Sequence, residues 1–395
     1  MNRRIKIQKL YNYFSQLKRN DLIFSYVKEL DGYEIESKDL KIKNVIIPQY
    51  YNNDNNESKP VKNIKEMGFF KCFKMTNLII PDSVVYIGDN AFMNCINLLT
   101  IKLSRNLKKI CDYTFYECKN LIKIDLPSNI IDIGIFTFSN CINLININLP
   151  SNIESIGRNA FSRCNQLTKI DIPIKITIIN EYLFFGCSNL KTVNMTNSVT
   201  IIEDFAFNNC FSLENIYLSN NLIEIKKGAF SNCKALKALS FPNSLEYIRR
   251  CAFEKCAFTT IELPQNLKII EAGCFICCKQ LKLINMPDSI AYMGDNMFNG
   301  CCELETAKLP NKLTKINEST FSGCEKLTNV VIPKTVTEIG AYAFKGCKSL
   351  KDFTIPNSVL KIDKTAFDGC SKEVQAVYNE WKKNEVMRNF CMKEF

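Results

Sequence analysis

The sequence predicts a repeat solenoid, in which one structural unit is stacked many times. Three observations predict it. Fourteen cysteines, from Cys72 to Cys370, stand in register; twelve of their thirteen intervals are 23 residues, and Cys256 to Cys278 is 22. Each has a phenylalanine three residues before it, from Phe69 to Phe367. The apolar residues after each cysteine end in alternation, the period-two signature of a strand. A period of this length overrides the two or three domains that 395 residues would otherwise suggest.

The elements follow in chain order. Residues 1–44 are expected to form a helical capping segment, with Ile7, Leu10, Phe14 and Leu17 on one helix face. The solenoid spans 45–370. Inside it, QYYNNDNNESKP (49–60) is polar and Asn-rich and is expected to be a mobile loop insertion. The unit that starts at Cys118 reads CKNLIKIDLPSNIIDIGIFTFSN. Leu121, Ile124 and Leu126 build its strand, and Pro127, which has no N–H, ends the ladder. Ser128 and Asn129 supply turn chemistry, and Gly134 permits a tight change of direction. The stretch to Phe138 and Cys141 is a turn-rich return path. The 22-residue interval is a deletion in CAFTTIELP that keeps Ile261 and Leu263 in role and shortens the loop before them. Residues 371–395 are expected to be a helical cap, with Val374, Tyr378 and Trp381 on one side. Trp381 reads as a residue packed on the last unit; a partner-binding aromatic is the alternative.

Composition excludes several functions. The chain has no histidine, the commonest general base and metal ligand. It has no Gly-rich phosphate loop and no metal-ligand motif, so it is not expected to be an enzyme, and neither cofactor nor metal is expected. No apolar run reaches the eighteen or so residues of a membrane helix. The N-terminus MNRRIKIQKLYNYF lacks the apolar stretch of a signal peptide. A cytoplasmic location is therefore expected, with non-classical export to the cell surface as the alternative. The net charge is +11, and Arg3, Arg4, Lys6, Lys9, Lys18 and Arg19 precede the first acid, Asp21. This basic N-terminus offers peripheral contact with an anionic membrane; a solvated helix face is the plainer reading.

The registered cysteines read as a column of buried thiols acting as small hydrophobes. Equivalent side chains in a stack point the same way, whereas a disulfide needs converging Cβ vectors. Cys277 and Cys302 lie outside the column in adjacent units and form the candidate for thiol redox or metal chemistry, the weakest of the functional readings.

The recurring pattern, in IGDNAFMNCINL, LPSNIESIGRNAFSRCNQL and IPKTVTEIGAYAFKGCKSL, resembles the BspA-like (Treponema pallidum-type) leucine-rich repeats. The resemblance covers residues 67–370. It implies a curved leucine-rich repeat solenoid with a short-stranded parallel sheet on its concave face. Members of that family are often surface-associated proteins used in adhesion or host contact.

Residues between the inward apolar positions of each strand point outward. These are the fifth and seventh after each cysteine: Thr100 and Lys102, Lys123 and Asp125, Asn146 and Asn148, Lys169 and Asp171, Thr192 and Asn194, Asn215 and Tyr217. The ladder continues through Ala238 and Ser240 to Asp352 and Thr354, and its four lysines balance four acids. Nucleic acid would require clustered positive charge, so it is not the expected partner. A polar, neutral face suits a protein. The expected function is a non-catalytic interaction scaffold that binds a protein through this face; the alternative is an adhesion or host-contact protein.

Overall fold

The computed structural model describes residues 21–351 and 353–391. The helix expected over 5–18, the basic residues Arg3 to Arg19, and Asp352 lie outside the described residues. The fold is a β-solenoid, in which paired strands of successive turns are offset by one repeat, as in Lys123↔Asn146. Most turns contribute one short strand after the cysteine and a second after the proline turn. The chain divides into two compact units, Met1–Ile176 with Leu183–Leu190, and Thr177–Tyr182 with Lys191–Phe395.

Among the described residues of the expected helical capping segment, 22–27 and 32–37 form strands. β1 (Leu22–Val27) and β2 (Gly32–Ser37) form an antiparallel hairpin. Its reason is local: LIFSYV is rich in β-branched and aromatic residues, and Asp31-Gly32 supplies the turn, with Asp31 at φ 43°. Gly32 is also required by contact, since a Cβ there would lie 2.8 Å from the Pro60 carbonyl oxygen. β3 (Asn44–Ile46) starts the main strand ladder, continued in parallel by Asn77–Ile79 and Thr100–Lys102.

The insertion at 49–60 is likewise a hairpin rather than a loop. β4 (Tyr50–Asn52) pairs antiparallel with β5 (Ser58–Ile64), which runs parallel to β2 and to Tyr86–Ile87. Asn53 closes the tip, its Oδ1 accepting the N–H groups of Asn55 at 3.0 Å and Glu57 at 2.9 Å. Tyr51 stacks on Phe24 with ring centroids 4.0 Å apart, and both contact Tyr33 edge-on. Aromatic packing thus orders a polar segment that has no apolar run of its own.

In the regular turns the core is an aromatic stack. Phe92, Phe115, Phe138 and Phe161 lie ring on ring at 5.5 Å, with Phe69 and Phe184 at the ends. Beside it runs the cysteine column, in which the thiols from Cys95 to Cys187 have a hydrogen-bonding role. Cys118 Sγ donates to the Phe92 carbonyl at 3.3 Å, Cys141 to Phe115 and Cys164 to Phe138 at 3.2 Å. The acceptor always belongs to the preceding turn. These thiols are small hydrophobes that also satisfy a buried main-chain oxygen. Gly134 has a negative φ, so its need is closeness: a Cβ there would sit 2.7 Å from the Asp112 nitrogen.

The second unit repeats this plan. Phe207, Phe230, Phe253, Phe275, Phe298, Phe321, Phe344 and Phe367 stack at 5.2 to 5.9 Å. A six-stranded ladder runs from Ile178–Ile179 to Tyr292–Met293 along one edge. At its C-terminal end, α1 (Lys372–Cys391) covers the last turn. Tyr378 meets Phe367 at 5.4 Å and Trp381 stacks on Tyr378; the Trp381 Nε1–H donates to the Val359 carbonyl at 3.2 Å. Val374 and Trp381 are buried.

Candidate functional site

The strand face is built by alternation. In each short strand the central residue turns into the core, as Ile124, Ile147, Ile170, Val193 and Ile216 do, and its two neighbours turn out. Thr100, Lys102, Lys123, Asp125, Asn146, Asn148, Lys169 and Asp171 of the first unit are all exposed. In the second unit Asn215 and Tyr217 are exposed, while Thr192 and Asn194 are half-buried.

Two lysines on this face are neutralised within their own turns. Lys123 Nζ lies 2.9 Å from Asp125 Oδ1, and Lys169 Nζ lies 3.1 Å from Asp171 Oδ2. These pairs are solvated, so each contributes roughly 0–1 kcal/mol; their effect is to leave no net field. Thr100 belongs to a polar ladder, its Oγ1 donating to Asn77 Oδ1 at 2.6 Å and Asn77 Nδ2 to Asn44 Oδ1 at 2.8 Å.

The predicted residues do not converge on one site. Thr100 and Lys102 share a shallow depression with Asn44 and Asn77. Asn146, Asn148, Lys169 and Asp171 line a second. Asn215 and Tyr217 border a third, of about 300 Å³, with Leu239, Ser240 and Phe241. The shapes suit a partner that touches a surface at several points better than a small molecule enclosed in a cavity.

One row was missed by the sequence reading. The residue just before the strand is exposed and apolar in three successive turns of the first unit: Leu99, Ile122 and Ile145, each at least 40% exposed. The signal was available, since this row is the fourth position after each cysteine.

The thiols are electrostatically quiet. Burial raises Cys187 and Cys278 to about 12 and Cys118 well above the ordinary thiol range, so the column holds neutral S–H donors. Cys277 and Cys302 are half-buried, and neither forms a disulfide. Among the described residues, no three His, Cys, Asp or Glu side chains are grouped to hold a metal ion, and no helix is long and apolar enough to cross a membrane.

A family model described as the BspA type leucine rich repeat region matches residues 62–187, 154–261 and 246–373. A leucine-rich repeat protein from Bacteroides ovatus is similar at 27% identity, over 90% of this chain and 92% of that one, with a TM-score of 0.74. A leucine rich cell surface protein from Faecalibacterium prausnitzii is similar at 25% identity over the same shares, with a TM-score of 0.52. The chain matches none of the curated proteins by sequence.

Proposed function

Since the chain belongs to the BspA-type leucine-rich repeat family, whose members are typically interaction or surface proteins, we propose that it is a non-catalytic scaffold that binds a protein partner through the polar strand face. The observation that carries this reading is the self-neutralised exposure of that face. Lys123 with Asp125 and Lys169 with Asp171 leave hydrogen-bonding groups outward with no net charge. Such a surface selects by shape and hydrogen bonding rather than by long-range attraction. Changing Lys123, Lys169 and Tyr217 together to alanine should weaken partner capture about tenfold or more. All three are exposed, so the melting temperature should barely move. Unaltered capture by that variant sinks the assignment.

A second reading, adhesion at the cell surface, is supported by the likeness to the F. prausnitzii cell surface protein. Biotinylation of intact cells tests it: labelled protein supports the reading, and protein confined to the cytosolic fraction ends it and leaves a cytoplasmic scaffold.

A further inference from the structure

In the second unit, the turn that begins at Cys233 has no strand on this face. Its segment Ala238-Leu239-Ser240 stands where Asn215–Tyr217 and Thr260–Glu262 form strands in the turns on either side. Among the described residues, no main-chain hydrogen bond joins 237–241 to 214–218 or to 258–263. In a regular turn of the same unit the equivalent groups pair: the Glu305 N–H donates to the Lys282 carbonyl at 2.9 Å, and the Met286 N–H to the Lys308 carbonyl at 3.1 Å.

Two local changes open this gap. Phe241 occupies the place that Leu218, Leu263 and Met286 hold elsewhere, and it meets the Phe253 ring edge-on at 5.5 Å. The 22-residue interval puts Phe258 in the place of a leucine, and it meets the same ring at 5.7 Å. The intervening Ala-Leu-Ser also has poor strand preference, and Leu239 is half-buried where Ile216 and Ile261 are buried.

We propose that the resulting groove is a main-chain docking slot for an extended, uncharged peptide segment of a protein partner. The proposal rests on the strand-face reading and narrows it. The N–H of Leu218 and the edge of strand 215–217 present unpaired main-chain groups at the strand repeat of about 3.3 Å per residue. A peptide backbone offers donors and acceptors at that repeat, which is the basis of recognition by strand addition. Tyr217, 63% exposed, and Phe241 supply an apolar flank. Glu214 and Lys237, both exposed and in equivalent positions of successive turns, contribute one charge of each sign and so favour a segment without net charge.

The test pans a library of random linear peptides, displayed on phage, against the full chain. Selected peptides are then titrated against three variants. The first restores regular strand residues: Ala238→Thr, Leu239→Ile and Phe241→Leu. The second, Ser240→Trp, fills the exposed groove and leaves the core alone. The third is Lys312→Ala with Lys334→Ala, exposed lysines of the proline turns that lie off the strand face. The expected result is that the first and second bind at least about tenfold more weakly while the third binds as the parent does, and that the first melts no lower than the parent. Peptides that bind the first and second variants unchanged, or the absence of any enriched peptide, overturn the slot. Peptides lost only on the third overturn it too, since their site lies off the strand face; the strand-face reading stands or falls separately, with partner capture by the variant of Lys123, Lys169 and Tyr217. A dimer that the first variant abolishes, with no peptide enriched, assigns the groove to a second copy of the chain and overturns the proposal.

Discussion

The same position carries opposite chemistry in the two units. Four residues after the cysteine, the first unit shows Leu99, Ile122 and Ile145 to solvent, whereas the second shows Lys191, Glu214, Lys237, Lys282, Glu305 and Lys351. The interior differs less: both units stack phenylalanine on phenylalanine beside a thiol column. The second unit adds edge-on rings in two places, Phe241 and Phe258 against Phe253, and Phe353 against Phe344 and Phe367. A scaffold that repeats its core leaves the flanking row free to vary, so differences in binding between the units belong to that row and to the interrupted turn.

The largest effect tests the interior. Phe138→Ala removes a fully buried ring from the first stack and should cost about 3–5 kcal/mol. Phe253→Ala also strands two edge-on partners, each such pair worth about 0.5–1.5 kcal/mol. Urea unfolding should therefore place Phe253→Ala as the more damaging of the two; equal losses would erase the distinction drawn around that ring. A middle-sized effect separates column thiols from outlying ones. Cys141→Ala removes the donor to the Phe115 carbonyl and should cost about 1–3 kcal/mol. Cys277→Ala, at a half-buried site, should stay within about 0.5 kcal/mol. The smallest effect on stability belongs to the flanking row. Ile122→Lys should change stability by less than about 0.5 kcal/mol, yet a partner held by the apolar row should bind it less well. Raising salt should weaken capture through the charged row of the second unit and spare capture through the apolar row. Equal salt dependence for contacts mapped to either row would break the comparison.

The repeat, its register and its outward ladder were legible because one small residue type, cysteine, recurs at a position that tolerates little else. The cysteines' hydrogen bonds were not legible, since each acceptor lies 25 or 26 residues earlier and no local pattern marks it. The N-terminal hairpin had a readable signal in Asp31-Gly32, but the helical spacing farther upstream outweighed it. The 49–60 hairpin was hidden because its order comes from Phe24 and Tyr33, distant in sequence. Phe241 was visible as an odd residue before a proline. Its consequence depends on Phe253 and on the shortened interval together, and neither alone predicts a missing strand.

Twelve column thiols reach back to the turn before them, as Cys95 does to Phe69 and Cys370 to Phe344. Within each unit, growth therefore has a direction. A turn leaving the ribosome finds its acceptor carbonyl already in place, so folding can proceed with synthesis rather than wait for its end. Shortening from the C-terminus keeps the acceptor of each such thiol that remains, whereas removing Phe69 from the N-terminal side orphans Cys95.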